Sequence, residues 1–179
     1  MPDFTAHYLF GNEVVKNLSS SDASAVNVQS NAFHWGLQGP DLLLFRKAVT
    51  GGSSLPRYSG MMHSEKSKES LLFMADYIAG MKDERAASVM KAYFYGFLCH
   101  YCLDRVAHPF VFCKEQKLLD EKSEFGGPTA LHCLTEAQID IALYRRMMGK
   151  SVLRFPLTKE YCLDPLLESE TAKMLVALL

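Results

Sequence analysis

Met90-Lys91-Ala92-Tyr93-Phe94-Tyr95-Gly96-Phe97-Leu98-Cys99-His100-Tyr101-Cys102-Leu103-Asp104-Arg105-Val106-Ala107-His108-Pro109 is the stretch on which the fold turns. Met90, Phe94, Phe97, Leu98, Tyr101 and Leu103 recur at helical spacing, and Asp83 stands where an N-cap belongs. Pro109 predicts an end to the helix close by, because its ring and its missing N–H disfavour continuation. Within the stretch His100, Asp104 and His108 stand four residues apart. Two imidazoles and a carboxylate therefore descend one stripe of one helix.

His132 and Glu136 repeat that step on the next helix, which carries Leu131, Leu134, Ile139, Leu143 and Met147. Thr129 is the expected cap and Gly149 the expected close. Residues 114–128, charged and glycine-containing, read as a connection. Upstream, His7, Phe10, Val14, Val15 and Leu18 predict a first helix starting just before His7, with Thr5 as its cap. Ser19 to Asn31 is polar and ambiguous.

Gly39-Pro40 interrupts any helix and sets Asp41 on a turn, and Thr50 to Pro56 reads as a loop. Leu71, Leu72, Met74, Ala75 and Ile78 predict a helix closed by Gly80, with His63 at its entrance. A last helix should start near Asp164-Pro165. No strand alternation competes, so the expected class is all-α: a compact multi-helix bundle with a metal cluster between helices, one domain over residues 1–179.

The bulk numbers agree with that size. In 179 residues, 49% hydrophobic content can fill a core. Nineteen Lys+Arg against 20 Asp+Glu leave a net charge of -1, so general nucleic-acid binding is not expected. The first residues lack the basic and apolar regions of an export signal, and the apolar stretch around Ala92 to Leu98 is too short to cross a bilayer. Five cysteines, an odd number, point to reduced thiols. The expectation is a cytoplasmic protein with no transmembrane segment.

An imidazole and a carboxylate on one helix face converge as ligands for a zinc-type ion, and a second helix can complete the shell. His7 and His63, each near a helix start, are the candidates for that completion. His34, between Phe33 and Trp35, fits an aromatic pocket or the core better. Asp140, a turn beyond Glu136, could hold an imidazole from behind. Cys99 and Cys102 have C-x-x-C spacing but no second pair, so they read as buried structural thiols. Tyr93, Phe94, Tyr95, Phe97 and Tyr101 read as core.

The ordered set His7, Gly39-Pro40-Asp41, His63, His100-x-x-x-Asp104, His108 and His132-x-x-x-Glu136 resembles the bacterial zinc-dependent phospholipase C family over residues 1 to about 148. That family is all-α and is similar in fold to single-strand-specific zinc nucleases. The resemblance implies a metal-dependent phosphoester hydrolase that uses a metal-activated water. His63, His100 and Asp104 would hold one Zn2+, and His108, His132 and Glu136 a second. Asp104 would bridge toward a third beside His7, and Asp41 would orient or deprotonate the attacking water. The substrate would be a small phosphoester or a phospholipid headgroup.

Three departures bear on this. The family's mature N-terminal tryptophan completes its third site, whereas this chain begins Met1-Pro2 and has its sole tryptophan at Trp35. Two sites are therefore expected to fill, with the third short of a partner. His108 directly precedes Pro109, where secreted members set the histidine after a proline. The absence of an export signal and of a membrane-binding domain speaks against a secreted, membrane-attacking lipase. The alternative is a non-catalytic, metal-stabilised binding or regulatory protein. A di-iron bundle would need Glu-x-x-His pairs, and an HD-type phosphohydrolase would need an adjacent His-Asp.

Overall fold

The computed structural model describes residues 4–44, 55–121 and 126–178. Every regular element among them is helical: α1 (Phe4–Lys16), α2 (Ser20–Val28), α3 (Ser30–Gly36), α4 (Leu55–Gly60), α5 (Ser67–Ala79), α6 (Glu84–Asp120), α7 (Pro128–Met148), α8 (Leu157–Glu160) and α9 (Pro165–Leu178). A 3-10 turn spans Gly39–Asp41, and a π-helical turn over Met61–Glu65 joins α4 to α5. The all-α expectation holds. Of the expected Thr50–Pro56 loop, residues 50–54 lie outside the described residues, and Leu55 and Pro56 open α4.

The long helix α6 is the axis, packed by α3 and α7 most extensively and by α1, α5 and α9 around it. Asp83 caps it as expected, its side chain accepting from the Arg85 and Ala86 N–H groups. Its N-terminal half feeds Val89, Met90, Tyr93 and Phe97 into a core shared with Phe33, Leu37, Met62, Met74 and Met174. The aromatic series is thus core at Tyr93 and Phe97, with Phe94 and Tyr95 packed at its edge.

α6 does not stop at Pro109 but runs to Asp120. The expected end there, and the reading of 114–128 as a connection, are corrected. Pro109 and Arg105, whose carbonyl loses its N–H partner, are both exposed residues one turn apart on the helix. Beyond it, Val111 is fully buried and holds the extension against the body. α7 starts after a Gly127 cap with Pro128 at its first turn, two residues ahead of the Thr129 expectation. Gly149, in the left-handed region at φ 65°, closes it as expected.

At the N-terminus Thr5 lies inside α1 rather than capping it. Asp140 takes the capping role from across the fold, accepting from the Thr5 N–H at 2.8 Å, the Thr5 hydroxyl at 2.5 Å and the Ala6 N–H at 3.0 Å. Its carboxylate thus anchors α1. The polar 19–31 region resolves into α2, capped by Ser19, and the start of α3.

α3 and α6 touch backbone to backbone. A Cβ on Gly36 would strike the Tyr93 carbonyl, and one on Gly96 the Phe33 carbonyl. This approach brings the chain after α3 onto the face of α6 that carries His100.

Candidate metal centre

His100 shows how the sequence builds the site. Gly39, at φ 53°, lies against the His100 ring where no Cβ would fit. The turn it permits places the Leu37 carbonyl 3.0 Å from His100 Nδ1 and leaves Asp41 buried beside the ring. Since a carbonyl only accepts, Nδ1 carries the proton and donates, and the Nε2 lone pair faces inward. His63, on the π-helical turn, repeats the device: its Nδ1 donates to the Ser59 carbonyl at 2.9 Å. Such turns recur at functional sites.

The two Nε2 atoms of His63 and His100 then face each other at 3.2 Å. Two lone pairs that close require a proton or a cation between them.

Around Asp104 the arrangement tightens. Its Oδ2 lies 3.1 Å from His100 Nε2 and 3.3 Å from His63 Nε2, while its Oδ1 lies 3.3 Å from His7 Nε2. His7 stacks on His100 at 4.1 Å between ring centroids. Asp41 approaches from the other side, Oδ1 3.4 Å from His63 Nε2 and Oδ2 3.8 Å from His100 Nε2. Further along α6, His108 Nε2 lies 3.6 Å from Glu136 Oε1, and His132 Nε2 lies 3.0 Å from the same oxygen.

Ligand atoms therefore gather in three groups, each within 4.8 Å: His7, His100 and Asp104; Asp41, His63 and His100; His108, His132 and Glu136. All eight residues singled out in the sequence come together. His34 stays apart, its Nδ1 3.1 Å from the Glu160 carbonyl among Tyr8, Phe33 and Tyr161. The grouping differs from the one the resemblance implies: Asp41, expected to act on the attacking water, stands with His63 and His100 at ligand range, and Asp104 groups with His7 and His100. The N-terminal residues relevant to the third site, Met1 to Asp3, lie outside the described residues.

These residues fit a metal. Both nitrogens of His7 and both oxygens of Asp104 are buried without an aligned hydrogen bond, an arrangement costly unless a cation completes it. Burial, reinforced by the neighbouring His100, lowers the His7 pKa to about 4, which keeps the ring a neutral donor at pH 7. Burial alone would raise Asp104, but the surrounding imidazoles of His100, His63 and His7 hold it well below the usual carboxylate range. His63 moves the opposite way from His7: burial opposes its charge, yet Asp104 and Asp41 outweigh that and raise its pKa. Nitrogen and oxygen donors in threes match zinc.

Asp41, His63, Asp104, His108 and His132 line an open cleft of about 540 Å³ together with Leu44, Pro56, Ser59, Ser64, Phe112 and Thr129, with His7, His100 and Glu136 buried and outside its lining. Two groups that fix the site's histidines escaped the sequence reading. The Ser59 carbonyl fixes His63, and Glu115, beyond Pro109, accepts from His132 Nδ1 at 2.9 Å. The signal for Glu115 was its position seven residues after His108, two turns on along one face. The C-x-x-C thiols take no part among these groups: Cys99 is half-buried, its pKa pushed up to about 11 by burial, and Cys102 is exposed, so the buried-thiol expectation holds only for the first in part.

An all-helical scaffold thus brings three histidine–carboxylate groups that could each hold a metal ion together along one face of α6. The chain belongs to the zinc-dependent phospholipase C family, whose model matches residues 6–173. No curated protein matches it, and no solved structure does. Among the described residues no helix is long and apolar enough to cross a membrane.

Proposed function

We propose that this chain is a zinc-dependent phosphodiester hydrolase of the phospholipase C type, acting on a phospholipid headgroup ester or a smaller phosphodiester. The observation that carries the reading is Asp104, whose two oxygens address two different histidine groups beneath a cleft open to substrate. Metal ions there would lower the pKa of water, polarise the phosphoryl group and stabilise the leaving oxygen.

The chain's own groups supply the rest. His7, His63, His100, His108, His132, Asp104 and Glu136 are the proposed ligands. Asp41, buried in the cleft lining within ligand range of His63 and His100, would join them as a ligand and accept a proton from the attacking water at its carboxylate. The described cleft lining holds no Lys or Arg, so the phosphate's charge would be met at the ligand groups rather than by side-chain cations. Leu44, Pro56 and Phe112 add apolar surface to the cleft lining against which the non-reacting part of a substrate could rest. Five free thiols support the cytoplasmic reading.

The test is hydrolysis of short-chain phosphatidylcholine and of a chromogenic phosphodiester by the zinc-loaded protein, after chelation, and after zinc is restored. Activity lost and regained supports the proposal. Stoichiometric zinc with no hydrolysis of either ester, and unfolding on chelation, would replace it with the metal-stabilised, non-catalytic reading.

A further inference from the structure

We infer that Glu115 is a positioning residue for the His108–His132–Glu136 group, holding His132 in its ligating tautomer and strengthening it as a donor. The inference rests on the zinc reading above.

Three inward-facing imidazoles have their Nδ1 fixed from behind, and they differ in what fixes them. His100 and His63 donate to backbone carbonyls, of Leu37 and Ser59, whereas His132 donates to a carboxylate. A carboxylate accepting from Nδ1 draws the ring toward imidazolate and raises the basicity of Nε2. His132 Nε2 lies 3.0 Å from Glu136 Oε1, so the line from Glu115 through the ring points into the group.

Geometry makes Glu115 available only because α6 continues past Pro109. Val111 is buried and Phe112 packs over both imidazoles, its ring 5.5 Å from that of His108 and 5.2 Å from that of His132. One turn of helix thus carries an inner anchor, an aromatic cover and the carboxylate. Glu115 and His132 are both largely shielded, at 17% and 20% side-chain exposure, which protects their contact from solvent screening.

The need for such support is local. The Asp104 side of the centre has two carboxylates, Asp41 and Asp104, among its imidazoles, whereas the third group has Glu136 alone. A carboxylate hydrogen-bonded behind His132 adds negative charge to that group without occupying a position at the ion.

The experiment follows zinc titration of the full chain by NMR of the His132 and His108 rings, comparing wild type with Glu115→Gln and Glu115→Ala. In the wild type the His132 Nδ1–H should be seen bonded, and zinc should bind at that group. Glu115→Ala should weaken this binding about 10- to 100-fold. Glu115→Gln, which keeps an acceptor but not the charge, should fall between, and the rings of His7 and His100 should respond to zinc as in wild type. In a His132→Ala background Glu115→Ala should have no further effect. Equal zinc affinity in all three proteins, or an undiminished effect without His132, would overturn the role of Glu115. If the wild type takes no zinc at these rings, the metal reading itself fails.

Discussion

Asp104 Oδ1 lies 3.3 Å from His7 Nε2, although the two residues stand on helices far apart in the chain order, α1 and the long α6. The other oxygen of Asp104 faces His100 and His63. Asp104→Ala should therefore deplete zinc from both groups around it while leaving the His108–His132–Glu136 group loaded. Asp41→Ala should affect only the His63 side. Elemental analysis of zinc per chain reads this, and equal metal loss in the two variants would rule the division out.

Asp41 has a second expected role. Asp41→Asn, keeping shape and one acceptor oxygen, should lower kcat on a chromogenic phosphodiester by about 100-fold or more, the usual scale of a lost general base. Steady-state kinetics on protein matched for zinc content gives the answer. Unchanged kcat would restrict Asp41 to metal holding.

Asp140 anchors the first turn of α1, and with it His7, through three hydrogen bonds among buried groups. Removing a charged acceptor from buried donors costs roughly 1–3 kcal/mol. Asp140→Ala should lower the unfolding free energy from urea titration by that amount and lower zinc content on the His7 side, with the His132 side retained. A variant with an unaltered urea curve would show that α1 is held by packing alone.

The α3–α6 contact predicts opposite outcomes at two glycines. Gly96→Ala drives a Cβ into the Phe33 carbonyl and should destabilise by at least 1–3 kcal/mol, the usual cost of overpacking. Gly60→Ala meets nothing within 4 Å at a helical backbone position and should be neutral or stabilising by about 0.4–1 kcal/mol. Thermal or urea unfolding of both variants compares them directly.

His7 makes the metal-free protein acid-sensitive. The unfolded chain takes up a proton there near pH 6.5, while burial holds the folded ring unprotonated down to about 4. Across that window the unfolded state binds more protons, so this contribution is fully present above pH 6.5 and is lost as pH falls toward 4. His63, raised rather than lowered, works in the other direction, so the contribution of His7 is isolated by difference. Metal-free His7→Gln should lose less stability between pH 7 and pH 5 than wild type. Parallel pH profiles would contradict the assignment.

The helical class, the core aromatics of α6 and the two His-to-carboxylate pairs were legible because side chains four residues apart share a face whatever surrounds the helix. Gly80, Asp83 and Gly149 marked helix ends through local backbone chemistry in the same way. Pro109 misled because its penalty is a local term, and the burial of Val111 beyond it outweighs that term. Thr5 misled because its capping partner, Asp140, is 135 residues away.

By itself the sequence determined which residues could act as ligands and which of them pair along a helix: His100 with Asp104 and His108, and His132 with Glu136. Only the tertiary structure decided the partnerships between helices. It set His7 against Asp104, brought Asp41 to ligand range of His63 and His100, and swung Glu115 behind His132. The reason is that spacing along one helix follows from backbone geometry, whereas contact between helices depends on how closely they approach. Here Gly36, Gly39 and Gly96 set that approach by the side chains they lack.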